Sequence, residues 1–318
     1  MSRLIPVIYK NMNYPPHIEA NIHEVSGNFH KEKLVINSPY SLHTEPSYGQ
    51  RIFCLKIVNN LKHIILAQKN GIPQLWYNKE WANDFYLFID HLIPSNKPPE
   101  VLEIHPPFND YCSSFDQFLN IFKVFYNKFK IKYPTTTIVI ENRFGTRNKE
   151  GRFLLSTCDN VLTFCETLSI PINSDIKLKI VLDYPQLFSA KRNLKEEDWK
   201  ENWMGSNPEE LVESIISFNQ KIKKYRELIG GFHMWGKKLK IKFGWIPHAG
   251  NFDTFFSNDK VLKEKFLKSV SSTFDDDIAR YFVPEVNSGE DDLLSIINDM
   301  EQDKRFIFPQ KISGKCGT

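Results

Sequence analysis

The segment Ile138-Val-Ile-Glu141 decides the fold class, because three later segments repeat its pattern. They are Ile180-Val-Leu-Asp183, Gly230-Gly-Phe-His233 and Phe282-Val-Pro-Glu285. Each is an apolar run with the length of a buried strand, and each ends in a carboxylate or an imidazole. The four end residues are 42, 50 and 52 residues apart. Helical patterns lie in most of these intervals, and strands that alternate with helices indicate an α/β barrel.

The sequence predicts eight short strands, because continuous apolar runs are typical of parallel strands that are covered on both faces. The predicted strands are Leu4–Tyr9, Lys33–Pro39, Val101–Pro106, Thr136–Asn142, Leu178–Tyr184, Gly231–Trp235, Lys240–Trp245 and Arg280–Val286. Amphipathic helices are predicted at Phe115–Phe129, Leu155–Leu168, Asn258–Val270 and Glu290–Met300, and one that begins at Pro208 after the N-cap residue Asn207. We therefore expect an α/β fold: a single (β/α)8 TIM barrel over residues 1–318, with irregular helices, a long insertion after the second strand (residues 45–95) and a disordered tail at 312–318.

Composition excludes few classes of protein. Of the 318 residues, 41% are hydrophobic and 25% are charged, as in ordinary globular proteins. A net charge of +3 gives weak support at best for nucleic-acid binding. Five cysteines without a CxxC pair indicate reduced thiols, and no export signal or long apolar stretch is visible. We therefore expect a cytoplasmic protein with no membrane partner.

The four strand-end residues predict a metal site. Side chains at the C-terminal ends of barrel strands converge, so Glu141, Asp183, His233 and Glu285 should bind one divalent cation. Without thiolates, donor chemistry leaves Zn²⁺, Mn²⁺ and Mg²⁺ open. Taken singly, a strand-end carboxylate can instead cap a helix or pair with an arginine, and Arg143 lies two residues after Glu141.

Other residues should lie on the same ring. His105, in Ile104-His-Pro-Pro107, ends the third predicted strand and is a candidate second-metal ligand or general base, with a core histidine as the alternative. Asn37 and Tyr40 close the second predicted strand, and His248 follows the seventh. The remaining histidines, His43 among them, are expected in surface or loop positions.

These motifs together resemble the xylose-isomerase-like TIM-barrel superfamily, which includes endonuclease IV, UV-damage endonucleases, sugar isomerases and ketose epimerases. The resemblance covers about residues 33–290. Where endonuclease IV-like proteins carry metal-binding motifs, this chain reads Asn37-Ser-Pro-Tyr40, His105-Pro-Pro107, Glu141, Asp183-Tyr-Pro-Gln186, His233, Ile246-Pro-His248 and Glu285.

The departures from the family pattern bear on the number of ions. Gln186 stands where the family has His, and Ile246 stands where it has Asp, which leaves a third metal with His248 alone. Asn37 replaces another His ligand of the first site, which keeps His105 and Glu141. The resemblance thus implies one complete metal site and a second ion near His105.

One function implied by the resemblance is a divalent-metal-dependent phosphodiesterase or endonuclease that acts on damaged or abasic DNA. Its expected catalytic residues are Glu141, Glu285, His105 and His248. The expected substrate-binding residues are Asn37, Tyr40, Arg143, Gln186, Trp235 and Lys237. Further basic residues near the expected rim support this function, although the lysines also fit a solvated strand face; they are Arg147, Lys149, Arg152, Lys238, Lys240 and Lys242.

Two alternatives remain open. A single-metal sugar isomerase or epimerase would use Glu141 and Glu285 to move a proton between the faces of a carbon, and its partner would be a small sugar. A barrel without catalysis would bind a partner through the segments 48–86 and 192–204.

Overall fold

A computed structural model describes residues 1–27, 33–44, 60–69, 72–95, 97–144, 151–191, 203–205, 207–239 and 245–311. Its strands are β1 (Ser2–Ile8), β2 (Ile22–Gly27), β3 (Tyr40–Thr44), β4 (Gln68–Lys69), β5 (Ile72–Pro73), β6 (Val101–Ile104), β7 (Thr137–Glu141), β8 (Leu178–Asp183), β9 (Ile229–Met234), β10 (Lys237–Leu239), β11 (Trp245–Pro247), β12 (Ala279–Pro284) and β13 (Phe306–Ile307). Its α-helices are α1 (Lys62–Leu66), α2 (Lys79–Leu92), α3 (Phe115–Lys132), α4 (Cys158–Leu168), α5 (Tyr184–Lys191), α6 (Pro208–Ile222), α7 (Phe252–Phe255), α8 (Lys260–Thr273) and α9 (Glu290–Glu301).

The fold is an α/β TIM barrel, as predicted. Its main sheet has the strand order β12-β9-β8-β7-β6-β3-β2-β1, β12 also pairs with β1, and β13 adds one strand beside β1. By its contacts the chain divides into two compact units, Glu24–Lys191 and Met1–His23 with Arg192–Thr318. A single domain over residues 1–318 stays a prediction. No helix in the part of the chain that the model describes is long and apolar enough to span a membrane.

The unit Glu24–Lys191 is built on parallel strands whose register sets up the site. In this register His43 of β3 pairs with Glu103 of β6, and Glu103 pairs with Val139 of β7. Behind the strands, α2 and α3 pack through aromatic side chains. Buried Trp76 lies at the centre of this aromatic cluster, with its ring in edge contact with five others; they belong to Trp81, Phe85, Phe118, Phe122 and Phe125. Such rings each bury a large apolar area, so they hold the helices against the strands.

The other unit contains β1, β9 and β12. Strand β12 pairs in parallel with both β1 and β9, in a register that places Val283 beside His233. Helix α6 begins as predicted: the Asn207 side chain accepts a hydrogen bond from the Glu210 amide, and Pro208 occupies the first turn. The predicted helices that became α3, α4, α8 and α9 are also present, with ends that differ by at most three residues.

One predicted strand was wrong, and another lies mostly outside the described residues. Residues Lys33–Pro39 form no strand, and the Val35 side chain is 93% exposed. The second and third barrel strands are β2 and β3, before and after that segment. Of the seventh predicted strand, residues 240–244 lie outside the described residues, and Trp245 begins β11, which pairs antiparallel with β10 in a separate two-stranded sheet.

The predicted insertion at 45–95 is described only in part. It holds α1, the short antiparallel pair β4–β5 and the complete helix α2, which packs on α3 as a barrel helix does. Residues 45–59 and the predicted tail 312–318 lie outside the described residues, as does most of the segment 192–204.

Candidate metal centre

Four side chains of the unit Glu24–Lys191 converge at the C-terminal ends of β3, β6 and β7. Ligand atoms of His43, Glu103, His105 and Glu141 all lie within 4.8 Å of one another. The Nε2 atoms of His43 and His105 are 2.9 Å apart, and Oε2 of Glu141 is 2.9 Å from His105 Nε2. Glu103 Oε1 lies 3.4 Å from His43 Nε2. This arrangement is called the His43 cluster below.

The donor set and the spacing of the His43 cluster fit a divalent cation. Imidazole nitrogens and carboxylate oxygens bind Zn²⁺ at about 2.1 Å, which in a tetrahedral site places ligand atoms about 3.4 Å apart. The distances from His43 Nε2 to the other three ligand atoms run from 2.9 to 3.8 Å. Three of the four residues are fully buried, so they sit on a rigid frame. The cluster is therefore compatible with a divalent metal site.

Carboxylates surround His43 on two sides. Its Nδ1 lies 3.2 Å from Glu24 Oε1, opposite the Nε2 that faces the cluster. Burial alone would lower the pKa of His43, but the charges of Glu103, Glu24 and Glu141 overcome it and raise the pKa to about 10. The pocket therefore favours positive charge strongly. A carboxylate on the second ring nitrogen is also the usual partner of a metal-binding histidine, because it fixes the tautomer and the ring orientation.

His105 has the opposite electrostatic environment. Burial, and then the nearby Arg143 guanidinium, lower the pKa of His105, against the raising effect of Glu141. The ring is thus held neutral, which is the form that binds metals. The indole Nε1 of Trp76 donates a hydrogen bond of 2.7 Å to the His105 carbonyl oxygen and so ties the end of β6 to the aromatic cluster. Trp76 itself has φ +59°, which is a strained value for a bulky residue.

Glu141 and Asp183 are joined through Gln186. The Gln186 Nε2 donates to Oε1 of Glu141 at 2.8 Å and to Oδ2 of Asp183 at 2.7 Å. Arg143 donates to the other oxygen of Glu141 at 3.0 Å. Glu141, Asp183, Gln186 and Arg143 all belong to the unit Glu24–Lys191, so this unit brings the four residues together, while their predicted roles stay predictions.

In the other unit, Glu285 stands between two imidazoles. Its Oε1 is 3.4 Å from Nδ1 of His233, and its Oε2 is 3.1 Å from Nδ1 of His248. The His248 ring stacks on Trp235 with ring centroids 4.2 Å apart, and the buried Lys237 ammonium lies 5.6 Å from the centre of the Trp235 ring. Each unit therefore brings together one half of the predicted quartet. Binding of a single ion by Glu141, Asp183, His233 and Glu285 stays a prediction.

Two predicted site residues lie at the wrong end of their strand. Asn37 precedes β3, and Tyr40 begins it, so neither closes a strand at the C-terminal end. Tyr40 is fully buried and its hydroxyl donates to the Lys97 carbonyl oxygen at 2.9 Å. The rim residues Arg147, Lys149, Lys240 and Lys242 lie outside the described residues, whereas Lys238 is present and donates to Asp292.

Sequence reasoning missed His43, Glu103 and Glu24. The missed strand Tyr40-Ser-Leu-His-Thr44 carries His43 next to its end, a pattern that matches the other strand-end ligands. Glu103 interrupts the apolar sequence of β6, yet its side chain is only 3% exposed and belongs to the cluster. A charged residue in a short buried strand was the available signal.

Comparison with known proteins does not assign a family to this chain. No family model and no curated protein matches this chain. Among solved structures, the chain is similar to a xylose isomerase domain protein from Planctomyces limnophilus, with 12% identity and a TM-score of 0.32. That match covers 69% of this chain and spans 60% of the length of the other.

Proposed function

We propose that this chain is a divalent-metal-dependent hydrolase of phosphodiesters, with damaged or abasic DNA as its substrate. The observation that carries the proposal is the His43 cluster with the Arg143 guanidinium beside it. Two imidazoles and two carboxylates supply a complete donor set for Zn²⁺ or Mn²⁺. A bound divalent cation supplies Lewis acidity and lowers the pKa of a water molecule to near neutrality.

The contacts of Glu141 favour a role as a ligand. Both of its oxygens already accept hydrogen bonds, from Gln186 on one side and Arg143 on the other. Each oxygen keeps a lone pair beyond the hydrogen bond from Gln186 or Arg143, so Glu141 is a fixed anion that can still hold a cation. Hydrolysis needs only the fixed anion, whereas epimerisation through Glu141 needs the proton transfer.

In this proposal Arg143 binds the phosphate. Its side chain is 17% exposed, so it reaches from buried Glu141 toward solvent. A guanidinium presents several donors in a planar fork that matches phosphate oxygens, and it stays charged at every relevant pH. In this role Arg143 orients the phosphodiester against the cluster and offsets the negative charge that grows in the transition state.

The test is cleavage of a labelled DNA duplex that contains one abasic site, with the intact duplex as the control substrate. The protein is stripped with chelator and reconstituted with Mn²⁺ or Zn²⁺. We expect cleavage by the wild type and by His91→Ala, a change of an exposed histidine on α2, and a loss of at least about 100-fold in His105→Ala. Absence of cleavage with either ion would overturn the proposal.

A sugar isomerase or epimerase is the second candidate, and the surroundings of Glu285 favour it. Glu285 is buried between His233 and His248, and the buried Trp235 ring stacks on His248 beside it. A carboxylate in such a site suits proton transfer at carbon. Exchange of a substrate C–H proton with deuterated solvent, in a panel of ketoses, distinguishes this function from hydrolysis.

A further inference from the structure

Gln186 makes an unusual set of hydrogen bonds for a neutral side chain. It lies in the first turn of α5 and is almost fully buried. Its Nε2 lies within 2.8 Å of one oxygen of Glu141 and one oxygen of Asp183. Its Oε1 accepts from the Phe144 amide at 2.7 Å, and its own backbone amide donates to Asp183 Oδ1 at 3.0 Å. The amide is therefore fixed at both ends.

The negative charges of the two carboxylates that Gln186 joins need cations or hydrogen-bond donors nearby. Glu141 and Asp183 are both 0% exposed, and buried like charges destabilise each other unless cations or donors lie between them. At this place the donor is the NH₂ group of Gln186, which has two protons and gives one to each carboxylate. A cation would occupy the same position if Gln186 offered an acceptor in place of its amide nitrogen.

We propose that Gln186 takes the place of a cation on this side of the Glu141–Asp183 pair, so that it limits how many ions the site binds. Gln186 also orients Glu141. Its hydrogen bond to Oε1 of Glu141 leaves Oε2 directed toward His105 and the His43 cluster. Gln186 is thus a positioning residue that also limits the number of bound metal ions. The orientation of Glu141 by Gln186 rests on the proposed metal-dependent function. The replacement of a cation by Gln186 does not.

The experiment is a count of bound ions in Gln186→Glu. This change keeps the size of the side chain but replaces the donating nitrogen by an oxygen within about 3 Å of two other carboxylates, which creates an oxygen site for Mn²⁺. We expect one more Mn²⁺ per chain than the wild type binds, by elemental analysis after gel filtration. We also expect a lower Tm in chelator, restored by Mn²⁺.

The matched control is Gln117→Glu, which adds the same charge on the exposed face of α3. It should bind no additional ion. If Gln186→Glu binds the same number of ions as the wild type, the proposal is overturned, whatever its Tm. If the wild type binds no ion and Gln186→Glu binds one, the inference about Gln186 stands and the proposed function fails.

A second variant tests the effect on Glu141. Gln186→Met has a similar length but no donor, so Glu141 loses the contact that orients it. Partners of metal ligands typically change metal affinity about 10- to 100-fold when they are replaced. We expect Mn²⁺ affinity of the wild-type site to fall by at least about tenfold in this variant. An unchanged affinity, measured by calorimetry on folded protein, would overturn the orienting role.

Discussion

His43 and His105 face each other with the same atom, Nε2 to Nε2, at 2.9 Å. The same His105 nitrogen is 2.9 Å from Glu141 Oε2, so three potential metal-ligand atoms lie within 3.8 Å of one another. A proton can join only one such pair at a time, whereas a divalent cation interacts with all three atoms at once. This relationship between neighbouring strands is the main reason to expect a metal in this barrel.

His43→Ala should lower the affinity for Mn²⁺ and Zn²⁺ by more than about 100-fold, because it removes one ligand and leaves Glu24 and Glu103 without their imidazole. Isothermal titration calorimetry on chelator-stripped protein measures the effect. The exposed-histidine variant His91→Ala is the control and should bind as the wild type does. Equal affinities in the two variants would remove His43 from the site.

Arg143→Met should lower kcat/KM for the phosphodiester substrate by about 10- to 100-fold, because a hydrogen bond to a charged group contributes about 1.5–3 kcal/mol. The salt dependence of DNA binding should also become less steep, by about one released counterion. Lys123→Met, which removes a cation on the exposed face of α3, should change neither quantity. If DNA cleavage is unaffected by the loss of Arg143, the assigned phosphate contact is wrong.

Removal of the metal should destabilise the protein. A ligand present at 100 times its Kd stabilises the folded state by about 2.7 kcal/mol. For a chain of 318 residues that difference corresponds to a Tm shift of about 4 °C. We expect the wild type to lose about this much on addition of EDTA and to regain it with excess Mn²⁺. The Tm of His43→Ala should hardly change with EDTA or Mn²⁺. If it changes as much as the Tm of the wild type, the stabilising ion binds elsewhere.

Asp276→Asn should destabilise the fold at neutral pH. Arg280 is fully buried and donates to both Asp276 oxygens at 2.8 and 2.9 Å. Burial opposes ionisation of Asp276, but the hydrogen bond and charge of Arg280 prevail and lower its pKa. Loss of one partner of a buried ion pair costs about 3 kcal/mol.

The pH dependence of this effect has a definite sign. Because the folded-state pKa of Asp276 is depressed, its contribution is complete above the unfolded pKa of about 3.9 and is lost as the pH falls through the lower folded value. The difference between wild type and Asp276→Asn in urea unfolding should therefore shrink below about pH 4. The exposed neighbour Asp277→Asn should unfold as the wild type does at every pH.

Much of the fold was predictable because six barrel strands are continuous apolar runs. The two that were missed carry polar residues for a physical reason. The interior of β3 holds Ser41 and His43, and β2 holds Glu24, so these strands lack the apolar signal. The run Leu34-Val-Ile36 has that signal but precedes Pro39 and exposes Val35. The apolar sequence therefore predicted a strand in a segment that is not buried.

The site residues on correctly predicted strands were predictable, and those on missed strands were not. Glu141, Asp183, His233 and Glu285 end strands that the sequence predicted correctly, so their positions were predictable. His43 and Glu24 lie on the missed strands, so the strand-end pattern was not applied to them. Gln186 was read as a departure from the family, but its role depends on two hydrogen bonds whose geometry no sequence pattern specifies.

The most direct test of the account is the metal content of protein that has been stripped, reconstituted with Mn²⁺ or Zn²⁺, and freed of unbound ion. Wild type, His105→Ala and His91→Ala are compared by elemental analysis. The account predicts at least one tightly bound ion in wild type and in His91→Ala, and a lower ion count in His105→Ala. A wild-type protein that is folded and binds neither ion would contradict it.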